Sequence, residues 1–105
     1  ILDTHRGCPA SNVRIELRKF SDEEAIIISE GRTNDDGRLP GLSPESGLEP
    51  GIYQMFFATK EYHQSLDIKG FYPHVEVTFE IAESGQHYHV PLLISPFGFS
   101  TYRGS

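Results

Sequence analysis

A two-sheet β-sandwich with one short helix, an all-β fold, is the class that this 105-residue sequence predicts. Three observations lead there. Two segments alternate apolar with polar residues at period two, the pattern of strands with one buried face. Ten Gly and seven Pro supply the turns that a chain of short strands needs. Only one segment, roughly two turns long, carries helical signals. At 37% hydrophobic and 11% aromatic the chain can fill a small core, and its length fits one domain over residues 1–105.

Each element has a local reason. Ile1-Leu2-Asp3-Thr4 reads as the end of a strand. From Asn12 to Arg18, Val13, Ile15 and Leu17 face one way, and Asn12, Arg14, Glu16 and Arg18 the other. Ser21 to Glu24 is a polar turn, and the three isoleucines between Ala25 and Ser29 favour a strand. Asn34-Asp35-Asp36-Gly37 is turn chemistry, with Gly37 free to take positive φ. Leu39 to Pro50 is loop, broken by Pro40, Gly41, Pro44 and Gly47. Gly51 to Phe57 is a strand apolar on both faces. Thr59 to Leu66 is the helix candidate, with Thr59 as its cap, Tyr62 and Leu66 on one face, and Gly70 beyond its end. It is too short to stand without tertiary packing. Val75, Val77, Phe79 and Ile81 form the buried side of a further strand, followed by a hairpin turn at Glu83-Ser84-Gly85. His87 to Ser95 is a strand with a continuous apolar stretch at Val90 to Ile94, and Pro96-Phe97-Gly98 turns into a last strand, Phe99 to Arg103. That makes about seven strands, with no repeat and no linker. Strands apolar on both faces need cover on both sides, which in so small a sandwich is expected from another subunit. Pro91 marks an edge or bulge.

Bulk charge narrows the function. A formal net charge of -6 and a pI near 5.2 exclude the basic stripe of a nucleic-acid surface. An anionic ligand would need a local cationic pocket against the global field. No run approaches the roughly 18 apolar residues of a membrane-spanning helix, so no membrane partner is expected. Cys8 is the one cysteine, which rules out an intrachain disulfide; it receives no chemistry.

Few residues suggest catalysis by type and place. At period two His87 and His89 share a strand face. An imidazole titrating near pH ~6.5 suits a general base, although two polar strand residues with no role is the commoner outcome of such spacing. A metal reading of His-x-His lacks a third and fourth ligand, so no metal is expected. His5, His63 and His74 read as surface residues. Arg38 follows a turn, where a fixed charge and a planar fork of donors can reach an oxyanion; without more, it would be a solvated turn arginine. Tyr102 would be edge packing and Ser105 a loose tail. No Ser-His-Asp order supports a serine nucleophile.

The C-terminal block, Tyr88-His89-Val90-Pro91-Leu92-Leu93-Ile94-Ser95-Pro96-Phe97-Gly98-Phe99-Ser100-Thr101-Tyr102-Arg103-Gly104-Ser105, closely resembles the signature of 5-hydroxyisourate hydrolases, the enzyme branch of the transthyretin-like family. Ile1-Leu2-Asp3-Thr4 with Arg6-Gly7 and Pro9-Ala10 resembles the family's opening, and Thr33-Asn34 with Asp36-Gly37-Arg38, Gly51-Ile52-Tyr53 and Phe71-Tyr72-Pro73 also fit. The likeness spans the whole chain, and the closing Tyr-Arg-Gly-Ser separates the hydrolases from the hormone carriers. It implies the transthyretin fold and a homotetramer built as a dimer of dimers, with sites where dimers meet. It also implies hydrolysis of 5-hydroxyisourate to 2-oxo-4-hydroxy-4-carboxy-5-ureidoimidazoline, a step of urate breakdown, without metal or organic cofactor. Carried over residue by residue, Arg38, His89 and Ser105 are the implied catalytic set, with Arg38 and Tyr102 contacting the substrate. The family places a further histidine directly before the Ile-Leu-Asp-Thr block. That position precedes Ile1, so the chain is expected to be trimmed and a poor catalyst as it stands. A carrier of a hydrophobic ligand such as thyroid hormone is the rival reading, since one fold serves both. A cytoplasmic or peroxisomal location is expected, although Arg103-Gly104-Ser105 is not a peroxisomal tripeptide of the Ser-Lys-Leu type.

Overall fold

The computed structural model describes residues 1–44, 46–85 and 88–104. Alternation at 12–18 becomes strand β3 (Arg14–Ser21), which pairs antiparallel with β4 (Glu24–Arg32). Asp22 and Glu23 join them with φ of 50° and 68°, the left-handed pair whose twist suits a two-residue hairpin. β3 also pairs with β5 (Gly51–Phe57), and β5 with β6 (Val75–Ile81), giving an antiparallel sheet of order β4-β3-β5-β6. Helix α1 (Thr59–Ser65) crosses between β5 and β6. The second sheet is built of shorter pieces: β1 (Leu2–Asp3), β2 (Cys8–Pro9), β7 (Leu92–Ser95) and β8 (Gly98–Thr101), in the order β2-β1-β7-β8. β1 runs parallel to β7, and the other pairs are antiparallel.

The two sheets close on a core read directly from period two. Val13, Ile15, Phe57 and Val75 from one side meet Leu92 and Ile94 from the other. Leu17, Tyr53 and Ile81 form a second cluster toward the far end. On the outer face of the larger sheet Glu16 is buried despite its charge. Arg18 donates to it at 2.7 Å and Arg14 pairs with its other oxygen, while both guanidiniums lie over the Phe56 ring. Burial raises the Glu16 carboxyl, but the Arg18 and Arg14 hydrogen bonds outweigh it and hold the group below its ordinary range. At the other end Asp3, fully buried, accepts from the Tyr62 hydroxyl at 2.7 Å and from the backbone N–H groups of His5 and Arg6, both at 3.0 Å. That contact ties α1 to β1.

Several expectations need correction. Thr59 does not cap the helix: Ala58 holds the N-cap without a side-chain bond, and Thr59 is the first helical residue, its buried Oγ1 lacking a hydrogen-bond partner. His63 is not at the surface but 3% exposed, because it faces inward beside Tyr62 on the helix. His74 is half-buried and bonded to Glu76 at 2.8 Å. The turn at Glu83-Ser84-Gly85 makes no hairpin, since the chain passes there from the larger sheet to the smaller. Of the strand expected over His87 to Ser95, His87 lies outside the described residues, and among residues 88–95 the strand begins at Leu92, because Pro91 has no N–H to donate. The last strand likewise stops at Thr101. An eighth strand, Cys8–Pro9, falls in what reads as opening loop.

Candidate active site

The site begins at the Asn34–Gly37 turn. The Asn34 side-chain oxygen accepts from the N–H of Asp36 at 2.9 Å and of Arg38 at 3.1 Å, and the Asn34 N–H donates to the Arg38 carbonyl at 2.7 Å. Gly37 takes φ of 72°, where a side chain is strained, and an added Cβ would collide with the Ile1 carbonyl oxygen. Glycine therefore lets the turn dock on β1: the Ile1 amine donates to the Gly37 carbonyl at 2.5 Å, and the Ala10 N–H to the Ile1 carbonyl at 3.0 Å. The docking leaves Arg38 exposed and beside Ile1. Burial lowers the affinity of the Ile1 amine for its proton, and the Arg38 charge lowers it further.

The second half comes from the β7–β8 hairpin. Beyond Pro91 the chain makes one isolated bridge, His89 opposite Gly104, with the Gly104 N–H donating to the His89 carbonyl at 2.8 Å. The Arg103 guanidinium lies 4.7 Å from the centre of the Tyr88 ring, and the Thr101 hydroxyl donates to the Pro91 carbonyl at 2.6 Å. These contacts hold the 101–104 segment against 88–91.

Arg38, His89 and Tyr102 all line one cleft of about 1220 Å³. Leu2, Pro91 and Leu93 also line it, and it runs down to Leu17, Met55 and Phe79 in the core. Arg38 is the one arginine or lysine among the described lining residues, and Asp36 the one carboxylate. The cleft thus offers a fixed cation and an imidazole above an apolar floor. Tyr102, 60% exposed, stands free at the mouth. Ser105 and His87 lie outside the described residues. Among the described residues no three His, Cys, Asp or Glu side chains gather as a metal site would require. The sequence reading missed two residues that shape this place, Ile1 and Gly104. Gly37 carried a signal in its turn, whereas Gly104 could be found only by extending the hairpin register past Pro91.

Known proteins supply the wider context. The model of the HIUase/Transthyretin family matches residues 1–104. The 5-hydroxyisourate hydrolase of Salmonella dublin is 42% identical over 105 residues, covering 100% of this chain and 77% of that protein. The solved 5-hydroxyisourate hydrolase of Klebsiella pneumoniae superposes with a TM-score of 0.87 at 32% identity, over 99% of this chain and 93% of that one. Sea bream transthyretin in complex with thyroxine gives a TM-score of 0.91 at 31% identity, over 98% and 89% of the two chains.

Proposed function

This chain belongs to the HIUase/transthyretin family, and we propose that it is a hydrolase that opens the ring of 5-hydroxyisourate with water. One observation carries the reading: a base-type side chain, His89, and a fixed cation, Arg38, line the same cleft although they lie far apart in the sequence. In the proposed reaction His89 takes a proton from water, and the resulting oxygen attacks the ring acyl carbon. The Arg38 fork meets the oxyanion as it forms. The C–N bond then breaks, the proton on His89 passes to the leaving nitrogen, and the carboxylic acid formed releases its own proton to solvent to leave a carboxylate. Tyr102 closes over the ring, and Ser105 positions water or substrate. The chemistry asks for no metal and no organic cofactor. By this reading the enzyme serves urate breakdown.

A carrier is the weaker reading. Arg38 and His89 at the mouth favour a polar, purine-derived ligand over a hormone, and curated relatives 40–42% identical to this chain are named as 5-hydroxyisourate hydrolases. The assay follows ultraviolet loss of freshly made 5-hydroxyisourate with the 105-residue chain and with the same chain extended by a histidine before Ile1. The Ile1 amine sits at Gly37, so a residue joined there enters the Arg38 corner of the cleft. The extended chain should far outpace the uncatalysed decay and also the shorter chain. Decay unchanged by either chain, together with tight thyroxine binding, would replace the hydrolase by the carrier. Equal rates in the two chains would dispense with the added histidine.

A further inference from the structure

The β7–β8 ladder ends at Leu92 opposite Thr101, yet its register continues. Three residues further along each strand, His89 faces Gly104 across the isolated bridge. Directly opposed residues of an antiparallel pair hold their Cβ atoms about 4.5–5.5 Å apart and ordinarily share the space above the sheet. Here the histidine takes all of it. A Cβ built on Gly104 would lie 2.8 Å from His89 Cγ and 2.9 Å from His89 Cβ, and closer still to Nδ1. Real Cβ atoms do not come so near, so any side chain at 104 must swing the imidazole or part the strands. Backbone conformation gives no competing reason for glycine, because Gly104 is not among the residues with positive φ. Glycine is required by the His89 side chain, its ring and its Cβ together.

We infer that Gly104 is a positioning residue for the proposed hydrolysis: its bare backbone is the shelf on which the His89 imidazole rests. The inference builds on the reading of His89 as the base. Gly104 is buried while His89 reaches into the cleft, so the tail forms a fixed wall behind a ring that is open to solvent on its other side. Nδ1 is the ring nitrogen set against the tail, which leaves Nε2 for the water. The 4.7 Å stacking of Arg103 on Tyr88 and the Gly104 N–H bond to the His89 carbonyl hold the wall in place from either side of the pair. A ring displaced by even ~1 Å can lose on the order of a hundredfold in rate.

The test is a double-mutant cycle in the full chain with Gly104→Ala, His89→Gly and both together. With His89 present, Gly104→Ala should lower kcat at least tenfold with KM changed less than threefold, since Arg38 and Tyr102 are untouched. With glycine at 89 all three of the atoms nearest the new methyl are gone, so the second substitution should cost less than twofold. Equal losses in both backgrounds, or full activity in Gly104→Ala, would overturn the inference. NMR titration of the imidazole nitrogens supplies a reading independent of turnover. Gly104→Ala should shift the His89 ring resonances or their midpoint while those of His5 stay put. An unmoved His89 signal would overturn the positioning role. A parent chain without hydrolase activity, but with the His89 shift present, would instead defeat the functional reading and leave the shelf standing.

Discussion

Arg38 stands where a turn, a glycine and the start of β1 converge, and its task there is geometric as much as electrostatic. Lysine at 38 would keep the charge but lose the planar fork. If Arg38 meets the oxyanion, Arg38→Lys in the chain extended by a histidine before Ile1 should cost about a hundredfold in kcat/KM, near 3 kcal/mol of transition-state stabilisation. The oligomer should survive, since Arg38 is exposed. Progress curves beside light scattering check both halves, and full activity in the lysine variant would reduce Arg38 to a solvated turn residue. A second residue with a measurable signature is Tyr62. Burial and its hydrogen bond to Asp3 push the phenol from its ordinary 10.0 up to about 12. The folded chain therefore keeps a proton that the unfolded chain loses first. Stability from this contact is whole below pH 10.0 and drains away as pH climbs toward 12. Denaturant midpoints measured across that window should fall in the parent and fall much less in Tyr62→Phe. That Arg38 and His89 would share one cleft was legible in the sequence through its likeness to the family. Gly104 was not, because a glycine shows its purpose only beside the ring it accommodates, fifteen residues away along a hairpin.

At the scale of elements, strands that bury one face were legible, and elements settled by tertiary contact were not. Val13, Ile15, Leu17 and the Val75 to Ile81 alternation placed β3 and β6 because period two is a local signal. β2 is two residues held by pairing with β1, too short to carry any period. The burial of His63 was equally hidden. A histidine in a seven-residue helix reads as polar surface, yet its ring fills the space between α1 and the β7–β8 hairpin. There Nδ1 and the Thr59 hydroxyl share a cavity of about 10 Å³, and neither has a hydrogen-bond partner. An unpaired buried polar atom costs ~1–3 kcal/mol, whereas an apolar ring of similar shape avoids the cost. His63→Phe should therefore stabilise the fold by about 1 kcal/mol and raise the melting midpoint by roughly 4–8 °C. Calorimetry reads this directly. A lowered midpoint would mean that a water in the cavity already satisfies the pair, which a cavity of that size can just hold.

At the scale of the molecule, the sandwich leaves apolar surface that its own residues do not cover. Phe71 and Phe97 are 70% and 72% exposed, and Leu2 and Phe99 42% and 43%. The three exposed phenylalanines lie on or beside the β7–β8 hairpin: the Phe71 N–H donates to the Pro96 carbonyl, and Tyr72 meets the Phe99 ring edge-on at 5.1 Å. A patch of large apolar side chains on a small domain calls for a partner surface, and the proposed partner is further copies of this chain, arranged as a tetramer. Light scattering should then give four times the 11.8 kDa chain mass. The same hairpin carries His89 and Tyr102, so assembly and catalysis share one element and can be separated by cutting its tail. Removal of Arg103, Gly104 and Ser105 takes away little apolar area, and burial of apolar area is what drives association. It does remove the His89 shelf and the cation over Tyr88. The truncated chain should therefore run as a tetramer yet turn over 5-hydroxyisourate at a small fraction of the parent rate. A fully active monomer would sink the interface model outright. A truncated tetramer with normal turnover would show that Arg38 and His89 suffice, with His89 held in place by something other than the tail.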